Sequence, residues 1–311
     1  MMRKIISVVI GVLGSGFLCG AYASDSRAFN EGNTTVDLGL GTLSGQTKER
    51  VYDPSSGHKD SQLNWRFKNA AIIKGGVEWQ VLPQISLGAS GWATLGKRGG
   101  VMNDYDWEDE NQSSWTSKSY HPSTELNRAN QFDLNMKYWF LNDDGTRLGA
   151  MLGYQQTRYR FSAYGGDYNY NNGQYVGELP SDLLAITYRQ TFKTPYLGLL
   201  ANYRYQRWEV GGSLKYSAWG KASDLDEHYL TDTTFVSKID KQTFYSLSLN
   251  AGYYLTENAK LYLEGVWSRN LNKKGWSRYD DRDVGIQDAA YNSAGIENYS
   301  LMGSVGLRYT F

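Results

Sequence analysis

The chain has 311 residues, with 32 Lys+Arg against 32 Asp+Glu, 25 Tyr, 34 Gly, 5 Pro and a single Cys. Balanced charge gives no footprint for nucleic-acid binding, and beyond residue 23 no run of about eighteen apolar residues exists to cross a membrane as a helix. Cys19 lies in the N-terminal apolar run, so the rest of the chain has no disulfide framework and no thiol chemistry.

Arg3 and Lys4, the apolar stretch from Ile5 to Gly20 and the small-residue motif Ala21-Tyr22-Ala23 read as a secretory signal peptide over residues 1–23. Its removal takes Arg3 and Lys4 from the 32 bases, leaving 30 against 32 acids and a net charge of −2. Residues 24–311 read as one domain. There the pattern is period-two alternation, the signature of strands with two different faces. Val36, Leu38 and Leu40 alternate with Asp37, Gly39 and Gly41, and Leu63, Trp65 and Phe67 with Asn64, Arg66 and Lys68. The same rhythm returns at Val77-Trp79-Val81, Ile85-Leu87-Ala89, Phe132-Leu134-Met136-Tyr138, Tyr245-Leu247-Leu249 and Leu301-Val305-Leu307-Tyr309. Residues 184–205 read as one long strand with Pro195 at a bulge or unpaired position.

Short turns are expected near 82–84, 142–146, 206–207 and 256–259. Long loops are expected near 49–60, 101–126, 166–183, 221–240 and 276–294. About ten strands joined alternately by short turns and long loops is the pattern of an all-β antiparallel barrel spanning an outer membrane. Spanning takes only about 9–11 residues per strand. Several segments run to roughly twice that, which predicts a barrel projecting above the bilayer. A soluble β-sandwich fits such long strands poorly.

Two outer segments carry candidate chemistry. In an extended backbone Asp224, Asp226 and His228 share one face, and so do Asp104 and Asp106. A carboxylate that accepts an imidazole N–H fixes the tautomer and leaves the other ring nitrogen as a base. Two carboxylates held close raise one pKa, so that one stays protonated while the other accepts a proton. Three chemistries fit these residues. Asp226 and His228 can activate water, with Asp104 and Asp106 orienting it and handling protons. Alternatively, Asp224, Asp226 and His228 can ligate a metal, or Ser119 near His121 can act as nucleophile. The third is disfavoured, because Ser-x-His spacing does not reliably place a base on the hydroxyl. Taken singly, each acidic pair reads equally as a solvated loop.

The chain resembles the omptin family of outer-membrane endoproteases from about Thr35 to Phe311. The resemblance is carried by Gly41-Thr42-Leu43-Ser44-Gly45, Thr47 to Tyr52, Asn69 to Gly75, Gly91-Trp92, Asp104-x-Asp106-Trp107, Asp224-x-Asp226-Glu227-His228-Tyr229, Ala294 to Asn298 and Tyr309-Thr310-Phe311. It implies a ten-stranded barrel in the cell outer membrane, with an extracellular proteolytic groove that cleaves beside basic residues. It further implies Asp104, Asp106, Asp226 and His228 as catalytic residues and Glu49 and Asp224 as the pocket for a P1 Arg or Lys. No metal and no covalent serine intermediate are implied, Ser119 being the serine once suspected. Lipopolysaccharide is implied as an activator, held by Tyr154 and Arg158. There Gln156, Thr191 and Asp240 depart from the usual Glu, Arg and Lys, while Arg160, Arg189, Lys193, Lys238 and Lys241 stand nearby. The aromatic-ended last strand looks like a signal for the outer-membrane assembly machinery. A barrel acting as an adhesin, with little peptidase activity, is the alternative from another class.

Overall fold

The structure, a computed structural model, describes residues 33–311, so the expected signal peptide lies outside the described residues. Eleven strands run in chain order: β1 (Thr34–Tyr52), β2 (Lys59–Leu82), β3 (Ile85–Thr94), β4 (Arg98–Asp106), β5 (Ser117–Asp143), β6 (Thr146–Tyr170), β7 (Tyr175–Tyr205), β8 (Trp208–His228), β9 (Thr233–Tyr254), β10 (Ala259–Asp281) and β11 (Ile286–Thr310). All neighbours pair antiparallel, and β1 bonds both β2 and β11, which closes the ring.

The eleven strands make ten staves, because β3 and β4 are two halves of one. β3 and β4 both lie between β2 and β5, the first at residues 85–94 and the second at 98–106. The break falls at Gly96, whose φ of 142° suits glycine, and β2 answers it with a bulge at Asn69 (φ 53°). Pro195 sits in the irregular register between Lys193 and Leu197, as expected for a residue with no N–H to give the ladder.

The four expected short turns stand where alternation breaks. The five long loops do not. Strand structure runs through most of 101–126, 166–183, 221–240 and 276–294, leaving only Asp53–His58, residues 107–116, 171–174, 229–232 and 282–285 irregular. The upper strands have water on their outer face, so no lipid-facing apolar row marks them, and polar residues on both faces erase the alternation.

Three zones stack inside the barrel. The lower half is wrapped outside by an apolar belt that includes Leu38, Leu40, Leu134, Leu199, Leu263 and Leu307, all exposed. Its interior holds charged side chains around a cavity of about 340 Å³. Above lies a dry plug. Trp65 stacks on Tyr188 (5.5 Å, 7°), and Phe67, Tyr159 and Phe161 pack beside them with Leu43, Ile72, Met102 and Ile296. The plug carries the third zone, the mouth.

Candidate active site

Inward-pointing positions of β1, β4 and β8 build the mouth. Met102 is fully buried in the plug, and the same face of β4 continues through Asp104 to Asp106. Across the ring, β8 presents Asp224, Asp226 and His228 on one face, and β1 adds Glu49 beyond the buried Thr47. All six side chains therefore project from strands and not from loops, which corrects the expectation that Glu49 and Asp224 come from separate outer loops. Nor are they a solvated rim, since Glu49, Asp224 and Asp226 are 1 %, 5 % and 1 % exposed.

His228 Nε2 lies 2.7 Å from Asp226 Oδ2, the pairing expected from the i, i+2 spacing. The ring stands edge-on to Phe235 at 5.6 Å. Burial pulls the imidazole down, but the Asp226 carboxylate outweighs it, with help from Asp104 and Asp106, and holds His228 up at about 9. Asp104 is pushed well above the usual carboxylate range by burial and by Asp106. Burial also lifts Asp106, to about 6. Burial and mutual repulsion therefore make the pair hold a proton to higher pH than two free carboxyls would.

Asp224 is held from two sides, accepting from Tyr188 OH at 3.1 Å and from the Ser237 N–H at 2.9 Å. Gln190 Nε2 donates to Tyr188 OH at 2.8 Å, and Thr47 Oγ1 donates to Gln190 Oε1. Burial raises Asp224 to about 7. Glu49 is held well above the usual carboxylate range, by burial first and then by Asp224 and Asp226. Glu49 Oε2 and Asp226 Oδ1 are buried and find no donor among the described residues. Five carboxyls thus share the mouth with one imidazole, and among the described residues no Lys or Arg is ion-paired to any of them.

Among the described residues, no group of three or more His, Cys, Asp and Glu is arranged to hold a metal ion. Asp224 Oδ1 and Oδ2 both turn to Ser237 and Tyr188 instead of toward His228. The Ser119 expectation needs a correction: its Oγ lies 2.9 Å from His121 Nε2, so the spacing does bring base to hydroxyl. Both residues are buried, at 4 % and 2 % exposure, and burial pulls the imidazole down. Ser119 is the β5 partner of Asp104. The contact therefore stands beside Asp104 on the same face of the ladder.

Sequence reasoning missed Thr47, Gln190 and Tyr188, which form a hydrogen-bonded chain ending on Asp224. Only Thr47 carried a signal, as the inward neighbour of Glu49 two residues on. It also missed Glu108, whose Oε2 accepts from Thr116 and Ser117 at 3.0 and 2.9 Å, and whose charge helps raise Asp106.

Tyr154 and Arg158 point outward from β6. Tyr154 packs on Phe132 at 5.9 Å. With its amide turned to accept, Gln156 receives Arg158 Nη2 and Nε at 2.6 and 2.9 Å. Thr191 pairs with Arg158 across the ladder, Lys193 with Gln156 and Arg189 with Arg160. Asp240 is bridged to Lys221 at 3.4 Å.

Fold and mouth together define an outer-membrane β-barrel carrying a carboxylate–imidazole groove above the bilayer. The family model described as the omptin family matches residues 30–311, and the chain belongs to that family. It is 48 % identical to Protease 7 of Escherichia coli (strain K12) over 100 % of both chains. It is 51 % identical to the outer membrane protease OmpP of the same strain, covering 93 % of this chain and 94 % of the relative. Identity to the plasminogen activator of Yersinia pestis is 40 %, again over 100 % of both. The crystal structure of outer membrane protease OmpT from Escherichia coli superposes with a TM-score of 0.88 at 50 % identity, covering 92 % of this chain and 99 % of that one. The protein is an outer-membrane endopeptidase.

Proposed function

We propose that this endopeptidase cleaves peptides beside Arg or Lys by activating water between two walls of the mouth, His228 and Asp226 on one and Asp104 and Asp106 on the other. The observation that carries the reading is the excess of buried carboxyls over cations at the mouth. Burying a charge without a partner is costly, and groups so placed have a role that the empty fold does not supply.

A P1 guanidinium entering between Glu49 and Asp224 meets two carboxyls, with Glu49 releasing its proton as the cation arrives. The same cation cancels part of the negative potential that holds a proton on His228. Substrate binding therefore lowers the proton affinity of the imidazole and readies it as a base. Asp226 keeps one ring nitrogen engaged, and the other takes the proton from water as it attacks the scissile carbonyl. Asp104 keeps its proton for the developing oxyanion or the leaving amine, while Asp106 orients the water.

Lipopolysaccharide, through its phosphates, is the activator assigned to Tyr154 and Arg158. Exposed Arg158, Arg160, Arg189 and Lys193 on that wall support it, and the Gln156 contact to Arg158 predicts a weaker dependence than a glutamate there would give. The test is cleavage of a fluorogenic Arg-Arg peptide by the refolded barrel, with and without lipopolysaccharide. Cleavage beside Arg that rises several-fold with the lipid is expected. No cleavage in either condition contradicts the peptidase mechanism, and full activity without lipid contradicts the activator assignment.

A further inference from the structure

On the outer wall formed by β10, β11, β1 and β2, a second set of cations stands at one level. Tyr299 pairs with Arg269 on one side and with Gln46 on the other, and Gln46 pairs with Arg66. One outward step higher, Glu297 pairs with Lys48, and Arg50 follows on the same face of β1. Lys48, Arg50, Arg66 and Arg269 all point outward, because their neighbours Thr47, Glu49, Trp65 and Phe67 fill the interior.

The single carboxylate in this group is Glu297. Arg50 and Arg269 fork onto its two oxygens at 2.7 and 2.9 Å. Lys48 and Arg66 form no ion pair among the described residues. Four cations against one anion leaves a surplus of three. Arg50 Nη1 and Arg269 Nε are buried donors with no acceptor among the described residues. A structural network would balance its charges; this one leaves donors over.

Its height says what it meets. Below Tyr299 and Trp267 the wall is apolar and exposed through Leu301, Leu263, Val305, Leu40 and Leu307 down to Tyr309. At about 3.4 Å per residue and a tilt near 40°, the run from Tyr309 to Tyr299 rises roughly 25 Å, the height of the apolar band of such barrels. Tyr299 and Trp267 are the upper aromatic girdle, and the cations begin beside it, at headgroup level. In the ring of ten staves this wall lies opposite β6 and β7, which carry Tyr154 and Arg158.

We propose that Lys48, Arg50, Arg66 and Arg269 form a second site for a phosphate monoester of an anionic outer-leaflet lipid, diametrically opposite the first wall. Guanidinium and ammonium groups at headgroup height recognise such a phosphate by charge-assisted hydrogen bonds. The site stands on its own cations, whatever the wall at Tyr154 binds.

The experiment is native mass spectrometry of the full barrel released from nanodiscs containing bisphosphorylated lipid A, the same lipid after dephosphorylation, or dephosphorylated lipid with millimolar inorganic phosphate. Wild type is expected to retain two bisphosphorylated lipids and to lose both on dephosphorylation. The Lys48→Gln/Arg66→Gln/Arg269→Gln variant keeps Arg50 on Glu297 and is expected to lose one lipid, its affinity falling about tenfold or more. Arg158→Gln should lose the other. Arg66→Gln alone, at an exposed side chain, gives the same direction at lower amplitude if the triple variant fails to refold. Unchanged retention in both the triple variant and Arg66→Gln overturns the site. So does equal retention of dephosphorylated lipid, and so does binding of inorganic phosphate as tight as that of the lipid.

Discussion

The lower lumen and the mouth are built on the same staves yet treat charge in opposite ways. In the lumen each carboxylate has a base: Lys74 with Glu264, Lys137 with Glu78, Lys215 with Asp133 at 2.5 Å, Lys260 with Glu209 at 2.5 Å and Arg308 with Asp37 at 3.9 Å. Tyr196 and Tyr254 add hydrogen bonds to Asp133 and Glu209. At the mouth, Glu49, Asp104, Asp106, Asp224 and Asp226 share His228. A paired interior needs nothing further and serves the fold. An interior left short of cations is, in the proposed mechanism, completed by one that arrives with the substrate. The aromatic plug around Trp65 keeps the two apart, so the lysines below do not neutralise the carboxyls above.

The sharpest way to break the comparison is His228→Ala. It should cut kcat for an Arg-peptide by about 100- to 10,000-fold, the range for a positioned base, while circular dichroism stays unchanged. Asp226→Asn should lower kcat in the same direction, although Asp226 is buried and its thermal midpoint must be measured alongside. Near-normal turnover by a folded His228→Ala barrel ends the mechanism.

Next comes the lumen. Lys260→Met strands Glu209, which is 4 % exposed, and should cost about 3–5 kcal/mol of stability. Activity per folded molecule should not change. A loss of Arg selectivity here would mean that the two zones are electrically continuous.

A smaller effect sharpens the picture through pH. Asp224 must be ionised to bind a cation and sits at about 7. Accordingly KM for Arg-peptides should rise, up to tenfold per unit, as pH drops below about 7. Stability runs the other way. Because the folded carboxyl is raised from 3.8, the native state binds more protons than the unfolded chain between about 4 and 7, and stability declines as pH rises through that window. Asp224→Asn should remove that decline, by up to about 1.4 kcal/mol per unit, and should flatten the pH dependence of KM near 7. Chemical denaturation at pH 5 and pH 8 checks the first, and a pH–rate profile checks the second.

Much of this was legible in single strands. Period-two alternation puts Asp104 with Asp106 and Asp226 with His228, because those pairs lie on one strand and its pleat decides their face. Anything that needs the register between distant strands was not. Nothing near Lys260 in the chain points to Glu209, and nothing near Asp224 points to Tyr188; both meetings follow from ladder pairing and barrel closure. Alternation does not mark the outer halves of the strands, for a related reason. Above the lipid both faces of a strand can be polar, and at 221–228 the polar residues that conceal the strand are the ones that form the site. Ser-x-His spacing does place a base on the Ser119 hydroxyl here, because on a β-strand two inward side chains at i, i+2 are neighbours, as Asp226 and His228 are.

The central claim is that the mouth is short of one cation and that the substrate brings it. The most direct measurement is kcat/KM for matched peptides differing only in Arg, Lys, Gln or Glu at P1, on wild type, Glu49→Gln and Asp224→Asn. Wild type should prefer Arg and Lys and reject Glu. Each variant should lose about 2–5 kcal/mol of the Arg-over-Gln preference, as expected when a buried charge pair is broken, without a matching loss on the Gln peptide. An Arg-over-Gln ratio unchanged in both variants would contradict the account.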